Sequence, residues 1–181
     1  MRKIALTVCL LALAPLVSGN AVPRQTPDGS LRPTGLPEPM NSFSFLSGTW
    51  IPDRTTPGKG TEEYSFTPIL GGRFLSSEEI LRDEKGAIVY RDFAVYGADP
   101  VTGRLFFHAY NTDGSMDRSA EAGGSKAGAW VFAGTVYGSP RFKDYRYSIT
   151  RIDLSHMRVL VELKTEGGYA KHSDTLYKRK V

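Results

Sequence analysis

Cysteine is almost missing from this chain. Of 181 residues one is cysteine, Cys9, so no disulfide forms within the chain and the fold must stand on its core alone. Histidine is scarce as well. His108, His156 and His172 fit no HExxH or Cys/His spacing, which excludes the common zinc patterns. There is little net charge, with 23 Lys and Arg against 19 Asp and Glu. Without Arg2 and Lys3 the balance is 21 against 19, or +2, too small to argue for nucleic acid or an anionic membrane surface. Strings of the Gly-x-Ser-x-Gly, P-loop and Rossmann type are absent, which gives hydrolase and nucleotide-binding readings no support.

Long apolar runs are confined to the N-terminus. "MRKIALTVCLLALAPLVSGNA" has a basic start, an apolar stretch over Ile4 to Val17 and a small-residue end at Gly19 and Ala21. That pattern predicts a signal peptide over residues 1–21, cleaved after Ala21, and an exported protein, periplasmic or secreted. The apolar stretch is shorter than the roughly 20 residues a membrane-spanning helix needs, and no later stretch reaches that length, so no transmembrane helix is expected. Cys9 lies inside the apolar stretch with Val8 before it, whereas a lipid-modified cysteine follows the stretch and a small residue. Residues 22–39, "VPRQTPDGSLRPTGLPEP", hold five prolines and almost no large apolar side chain. Such a segment buries too little surface to offset its ordering entropy and reads as a disordered tether. The folded domain is expected over 40–181.

From Met40 onward the apolar pattern has structure. "MNSFSFL" sets Met40, Phe43 and Leu46 at helical spacing. Runs of period two follow, each closed by turn residues such as "DEKG", "NTDG" and "TEGG". With "SGTWI" at the front they make about ten strands, spaced as in an all-β sandwich or barrel. No connection is long enough for a crossover helix, so neighbours pair antiparallel. The expected fold is therefore all-β, an antiparallel up-and-down β-barrel, which closes on itself and removes its own edges. In such a barrel Gly48 lets the backbone bend and Trp50 plugs the closed end; an ordinary core position for Trp50 is the other reading.

"SGTW", "GKGTEEYSFTPILGGRFL", "VYGADPVTGRLFFHAYNTDG" and the terminal "DTLYKRK" together resemble a bacterial lipocalin-like family of unknown function in the calycin superfamily. The resemblance implies a lipocalin-like barrel over most of residues 43–180 and carries no assigned catalytic residue. A more distant likeness is to the haem-binding nitrobindins, which present an axial histidine from the final strand. It implies His172 as the haem ligand of an alternative reading, an enzyme or isomerase. Against it, alternation places His172 with Ala170, Asp174 and Lys178, and "GTWIPDRTTPGKG" lacks the nitrobindin pattern after the first tryptophan.

Strand alternation proposes the candidate site. Phe106, His108 and Tyr110 share one face of their strand, and Tyr145, Tyr147, Ile149 and Arg151 share one face of another. Nine tyrosines and nine phenylalanines suit a pocket for a flat or oily molecule, and equally suit a filled core. Each of the pairs Glu62-Glu63 and Glu78-Glu79 is split between faces; solvated strand faces are the first reading, and an inward member meeting Arg73 or Arg151 in a network that anchors a ligand carboxylate is the other. The candidate ligand-binding residues are thus Trp50, Arg73, Phe106, His108, Tyr110, Tyr145, Tyr147, Arg151 and His172, with a hydrogen-bonded core position as the other reading of His108. The expected function is binding of a small apolar or amphipathic ligand, without a catalytic residue or resident cofactor; a filled structural barrel of the envelope is a further alternative. Apolar side chains on both faces of several strands also suggest a homodimer through the aromatic strands.

Overall fold

Alternation past Met40 becomes ten strands in the computed structural model, which describes residues 36, 38–54, 60–123, 126–139 and 143–181. They are β1 (Gly48–Pro52), β2 (Thr61–Ile69), β3 (Phe74–Arg82), β4 (Ile88–Ala98), β5 (Leu105–Asn111), β6 (Met116–Glu121), β7 (Ala129–Tyr137), β8 (Asp144–Arg151), β9 (His156–Thr165) and β10 (Gly168–Arg179). Each strand pairs antiparallel with the next, and β1 pairs with β10 to close the barrel. Short side chains make the turns tight. Asp83 Oδ1 accepts from the backbone N–H of Lys85 and Ala87, and Asp99 Oδ1 from those of Val101 and Thr102. Both are aspartates mimicking a backbone turn.

The signal segment expected over 1–21 lies outside the described residues, as does most of the proline-rich stretch. The end of that stretch is not a free tether. Leu36 is buried in the core, and its N–H donates to Ser44 Oγ at 2.9 Å. Packing against the barrel thus begins before Met40, because one leucine among the prolines supplies enough apolar surface to dock.

One end of the barrel is plugged. Met40–Leu46 form a 3-10 helix whose three-residue period puts Met40, Phe43 and Leu46 on one buried face. Phe43 meets Trp130 with ring centroids 5.0 Å apart, and Phe45 stacks on Trp130 at 5.3 Å. Trp50 is fully buried beside them and donates from Nε1 to the Leu46 carbonyl at 2.7 Å. Arg179, near the end of β10, lies over the Trp50 ring at 4.3 Å and donates to the carbonyls of Phe45 and Ser47. The plug is thereby tied to the strand that closes the barrel.

Gly48 is explained by this arrangement. Its φ is +116°, and a Cβ there would stand 2.8 Å from Arg179 Nη1. Only glycine accepts the backbone angle and leaves the guanidinium its path. Above the plug, Phe66, Phe107 and Phe132 fill the barrel, and above these Tyr64, Tyr96 and Tyr147 bring their hydroxyls together.

Replacing Arg179 by Met is expected to cost about 2 kcal/mol or more, since it leaves two carbonyls without their charged donor. Gly48→Ala is expected to cost about 1–3 kcal/mol through strain at positive φ and the lost guanidinium path. Urea denaturation followed by near-UV circular dichroism measures both. In the double variant the two losses should sum to less than additive, because they share one contact.

Candidate ligand cavity

Above the tyrosine layer the barrel is hollow. The cavity is about 520 Å³, within the usual range for small-molecule sites. Strand directions place it at the end away from the plug, under the turns that follow β3, β5 and β9.

Alternation sends Glu62 and Tyr64 of β2, Glu79 and Leu81 of β3, and Tyr90, Asp92 and Ala94 of β4 into this space. Register does the rest. Tyr64 stands directly across from Glu79, and Glu79 directly across from Asp92. Two carboxyls on facing positions of one sheet face repel. Asp92 Oδ1 accepts from the Glu79 N–H at 3.2 Å, and its Oδ2 accepts from the Tyr90 hydroxyl at 3.2 Å. The Tyr177 hydroxyl donates to Glu62 Oε1. Asp117 of β6 is a fourth inward carboxyl.

The opposite wall is apolar. β4 and β9 are five places apart in a ring of ten strands, hence diametrically opposed. β9 contributes Val159, Val161 and Leu163, and β7 contributes Val136. The cavity is therefore polarised, with carboxyls on one arc and aliphatic side chains across from them.

Burial pushes the Glu79 carboxyl well above the carboxylate range, helped by the neighbouring charges of Asp92 and Glu62. Burial likewise raises Asp92 to about 6, against the pull of the Glu79 N–H and the Tyr90 hydroxyl. Asp117 also rises to about 6, again mainly through burial. Outside the barrel the acids have cationic partners. Glu63 pairs with Lys180, Glu78 with Arg91, Glu162 with Arg146 and Asp174 with Arg158. Among the described residues the cavity wall holds no lysine or arginine, and no group of three or more His, Cys, Asp or Glu is placed to hold a metal ion.

Of the residues singled out by alternation, Tyr145, Tyr147 and His172 line the cavity. Trp50 does not; it lies in the plug beneath. Phe106, His108 and Tyr110 point outward, which corrects the expected face of β5. There Leu105, Phe107 and Ala109 are the inner set. Alternation separates two faces but does not say which is inside, and here both carry aromatics. Phe106 covers the outer side of Gly97, where a Cβ would stand 2.6 Å from its ring. Its ring centroid is 5.2 Å from that of His108. Arg73 is exposed beyond the turn before β3, and Arg151 ends β8 at the plugged end, 5.6 Å from the Phe45 ring. The expected inward arginine facing Glu62 and Glu79 is thus not formed.

His172 reaches the cavity through an irregularity. Lys171 pairs with Glu162 and Ser173 with Val161, so His172 is the extra residue of a β-bulge. The bulge re-aims it, and simple alternation, which grouped it with Asp174, fails there. Tyr90, Asp92 and Asp117 line the cavity without having been expected there from the sequence. Their signal is present, since Tyr90, Asp92 and Ala94 share the parity of buried Tyr96, but an inward aspartate has no apolar signature.

The folded-state carboxyls of Asp92 and Asp117 stand near 6, above the ordinary 3.8. The folded chain therefore holds protons that the unfolded chain has already released between those values. The stability these groups contribute is complete below pH 3.8 and is lost as pH rises through 6. Asp92→Asn is expected to stabilise the empty barrel at pH 8, by about 1 kcal/mol or more, and to change little at pH 4. Asp117→Asn should act in the same direction. Urea midpoints for each variant and the parent between pH 4 and pH 8 check this.

No family model matches the chain, and no curated protein matches it. Among solved structures it is similar to the crystal structure of Rv2717c from M. tuberculosis, with a TM-score of 0.63 and 15% sequence identity. The match covers 81% of this chain and 99% of that one. At this identity the likeness shows the fold alone, a closed ten-stranded antiparallel barrel.

Proposed function

We propose that the chain is an exported binding module, periplasmic or secreted, whose lipocalin-like barrel holds a small amphipathic ligand in its open half. The observation that carries this is the polarised 520 Å³ cavity above the tyrosine layer. A barrel that served only as a filled strut would be packed to the mouth; here an open space lies above Tyr64, Tyr96 and Tyr147, with carboxyls on one side and aliphatic side chains on the other. The leader-like residues 1–21 support export. No helix among the described residues is long and apolar enough to cross a membrane.

The haem alternative finds the wrong surroundings. His172 is exposed at the rim of the cavity. A porphyrin carries two propionates, and the described wall of this cavity holds Glu62, Glu79, Asp92 and Asp117 with no lysine or arginine among the described residues. The residues present do not fit the group.

The outward aromatics support the expected homodimer. Phe93 pairs across strands with Tyr110, Tyr110 with Met116, and Met116 with Tyr137, and these three aromatic rings are about half exposed. Such a row is the kind of surface a second copy covers.

Native mass spectrometry of protein purified from its own host should find a bound small molecule that leaves on denaturation. An empty barrel would count against the binding reading. Sedimentation should give a dimer that Tyr110→Lys converts to a monomer without changing the β-sheet circular dichroism; a monomeric parent would remove the dimer.

A further inference from the structure

The acids of this protein are treated differently on the two sides of one sheet. On the outer face Glu63, Glu78, Glu162 and Asp174 each have a lysine or arginine within salt-bridge distance. On the inner face Glu62, Glu79, Asp92 and Asp117 have none among the described residues. The contrast lies within single dipeptides, since Glu62-Glu63 and Glu78-Glu79 each place one acid on either side. Register also sets Glu79 directly across from Asp92, a repulsive arrangement that a structural core has no reason to keep.

A second observation is independent of charge. The Tyr145 hydroxyl faces the same cavity and has no hydrogen-bond partner, in a residue only 4% exposed. A buried hydroxyl of this kind costs about 1–3 kcal/mol when nothing meets it. Asp117 Oδ1 is likewise buried without a partner.

Resting on the binding reading above, we propose that the ligand is an organic cation, an alkyl- or arylammonium ion. Its nitrogen sits against Glu62, Glu79 and Asp92, and its apolar body lies along Val159, Val161 and Leu163. The carboxylates supply what an ammonium ion needs, several acceptors converging from one side. Tyr64, Tyr90 and Tyr177 stand among them, and tyrosine rings add attraction for a desolvated cation. The aliphatic wall across the barrel takes the tail. A carboxylate ligand, the usual guest of barrels that carry an inward arginine, meets repulsion here instead. Binding of the cation also removes the like-charge conflict of Glu79 and Asp92, so occupancy and stability rise together.

Octylamine, octanol and octanoate share one tail and differ in head group, and calorimetric titration of the leaderless chain with each at pH 7.5 tests the proposal. Octylamine is expected to bind at least tenfold more tightly than octanoate. In the Glu79→Gln/Asp92→Asn variant that preference should vanish, while Glu78→Gln, on the outer face, should leave it intact. The double variant removes buried charge and is expected to fold; retained β-sheet circular dichroism checks this. Equal or tighter binding of octanoate or octanol would overturn the cation assignment and leave the amphipathic binding module standing. A preference for the amine that survives in the double variant would overturn the assignment to this wall. If none of the three binds, both readings fall.

Discussion

The guanidinium of Arg179 is the contact on which the barrel depends. It belongs to the last strand, lies over the indole of the first, and donates to the carbonyls of Phe45 in the 3-10 helix and of Ser47 just before the first strand. An open ten-stranded meander has two edges of unpaired backbone groups. Joining β1 to β10 removes both, and Arg179 fixes where the join occurs. Gly48 belongs to the same contact, since any larger residue would stand in the guanidinium's path.

Closure turns alternation into an inside and an outside. On the outside, water and opposite charges are both available, and acidic residues are neutralised in pairs across neighbouring strands. Each such pair contributes little by itself. On the inside the same residue type is desolvated and faces others of its kind, and burial makes Glu79, Asp92 and Asp117 keep their protons to higher pH than ordinary carboxyls do. The two populations respond oppositely to pH. The paired surface carboxyls of Glu162 and Asp174 are held low by their arginines, so acid weakens them while it relieves the interior. The pH dependence of the empty barrel is the difference of these two effects.

Much of the fold was legible in the sequence because turns and alternation report backbone geometry directly. All ten strands fall where the period-two runs lie, and Met40, Phe43 and Leu46 form the buried face expected of a helical turn. The site was less legible, for three physical reasons. Parity divides a strand into two faces without naming the inner one, so Phe106, His108 and Tyr110 were assigned to the cavity while Phe107 and Ala109 occupy it. A bulge breaks parity, so His172 enters from a face that counting assigns to Asp174. An interior lined by acid has no apolar signature at all, so Asp92 and Asp117 resemble surface residues until the register brings Asp92 opposite Glu79. The expected arginine partner failed for a related reason. Arg73 and Arg151 stand at the plugged end, the length of the barrel away from the acids at its mouth.

The tyrosine layer explains how a plugged end and a polar cup coexist in one barrel. Tyr64, Tyr96 and Tyr147 place their hydroxyls 2.9 to 3.5 Å from one another. A phenol donates one hydrogen bond and accepts others, so three of them close a cycle in which every donor is used. Their rings face down into phenylalanine, with Phe66 at 4.4 Å from Tyr64 and Phe107 at 5.1 Å from Tyr147. Phenylalanine at these positions would extend the oily core upward with no polar boundary. Aspartate or serine would leave a gap in the packing below. Tyrosine alone fills the lower volume and satisfies its polar tip within the layer. Because the layer satisfies itself, Glu62, Glu79, Asp92 and Tyr145 line the space above it without being drawn into its hydrogen bonds.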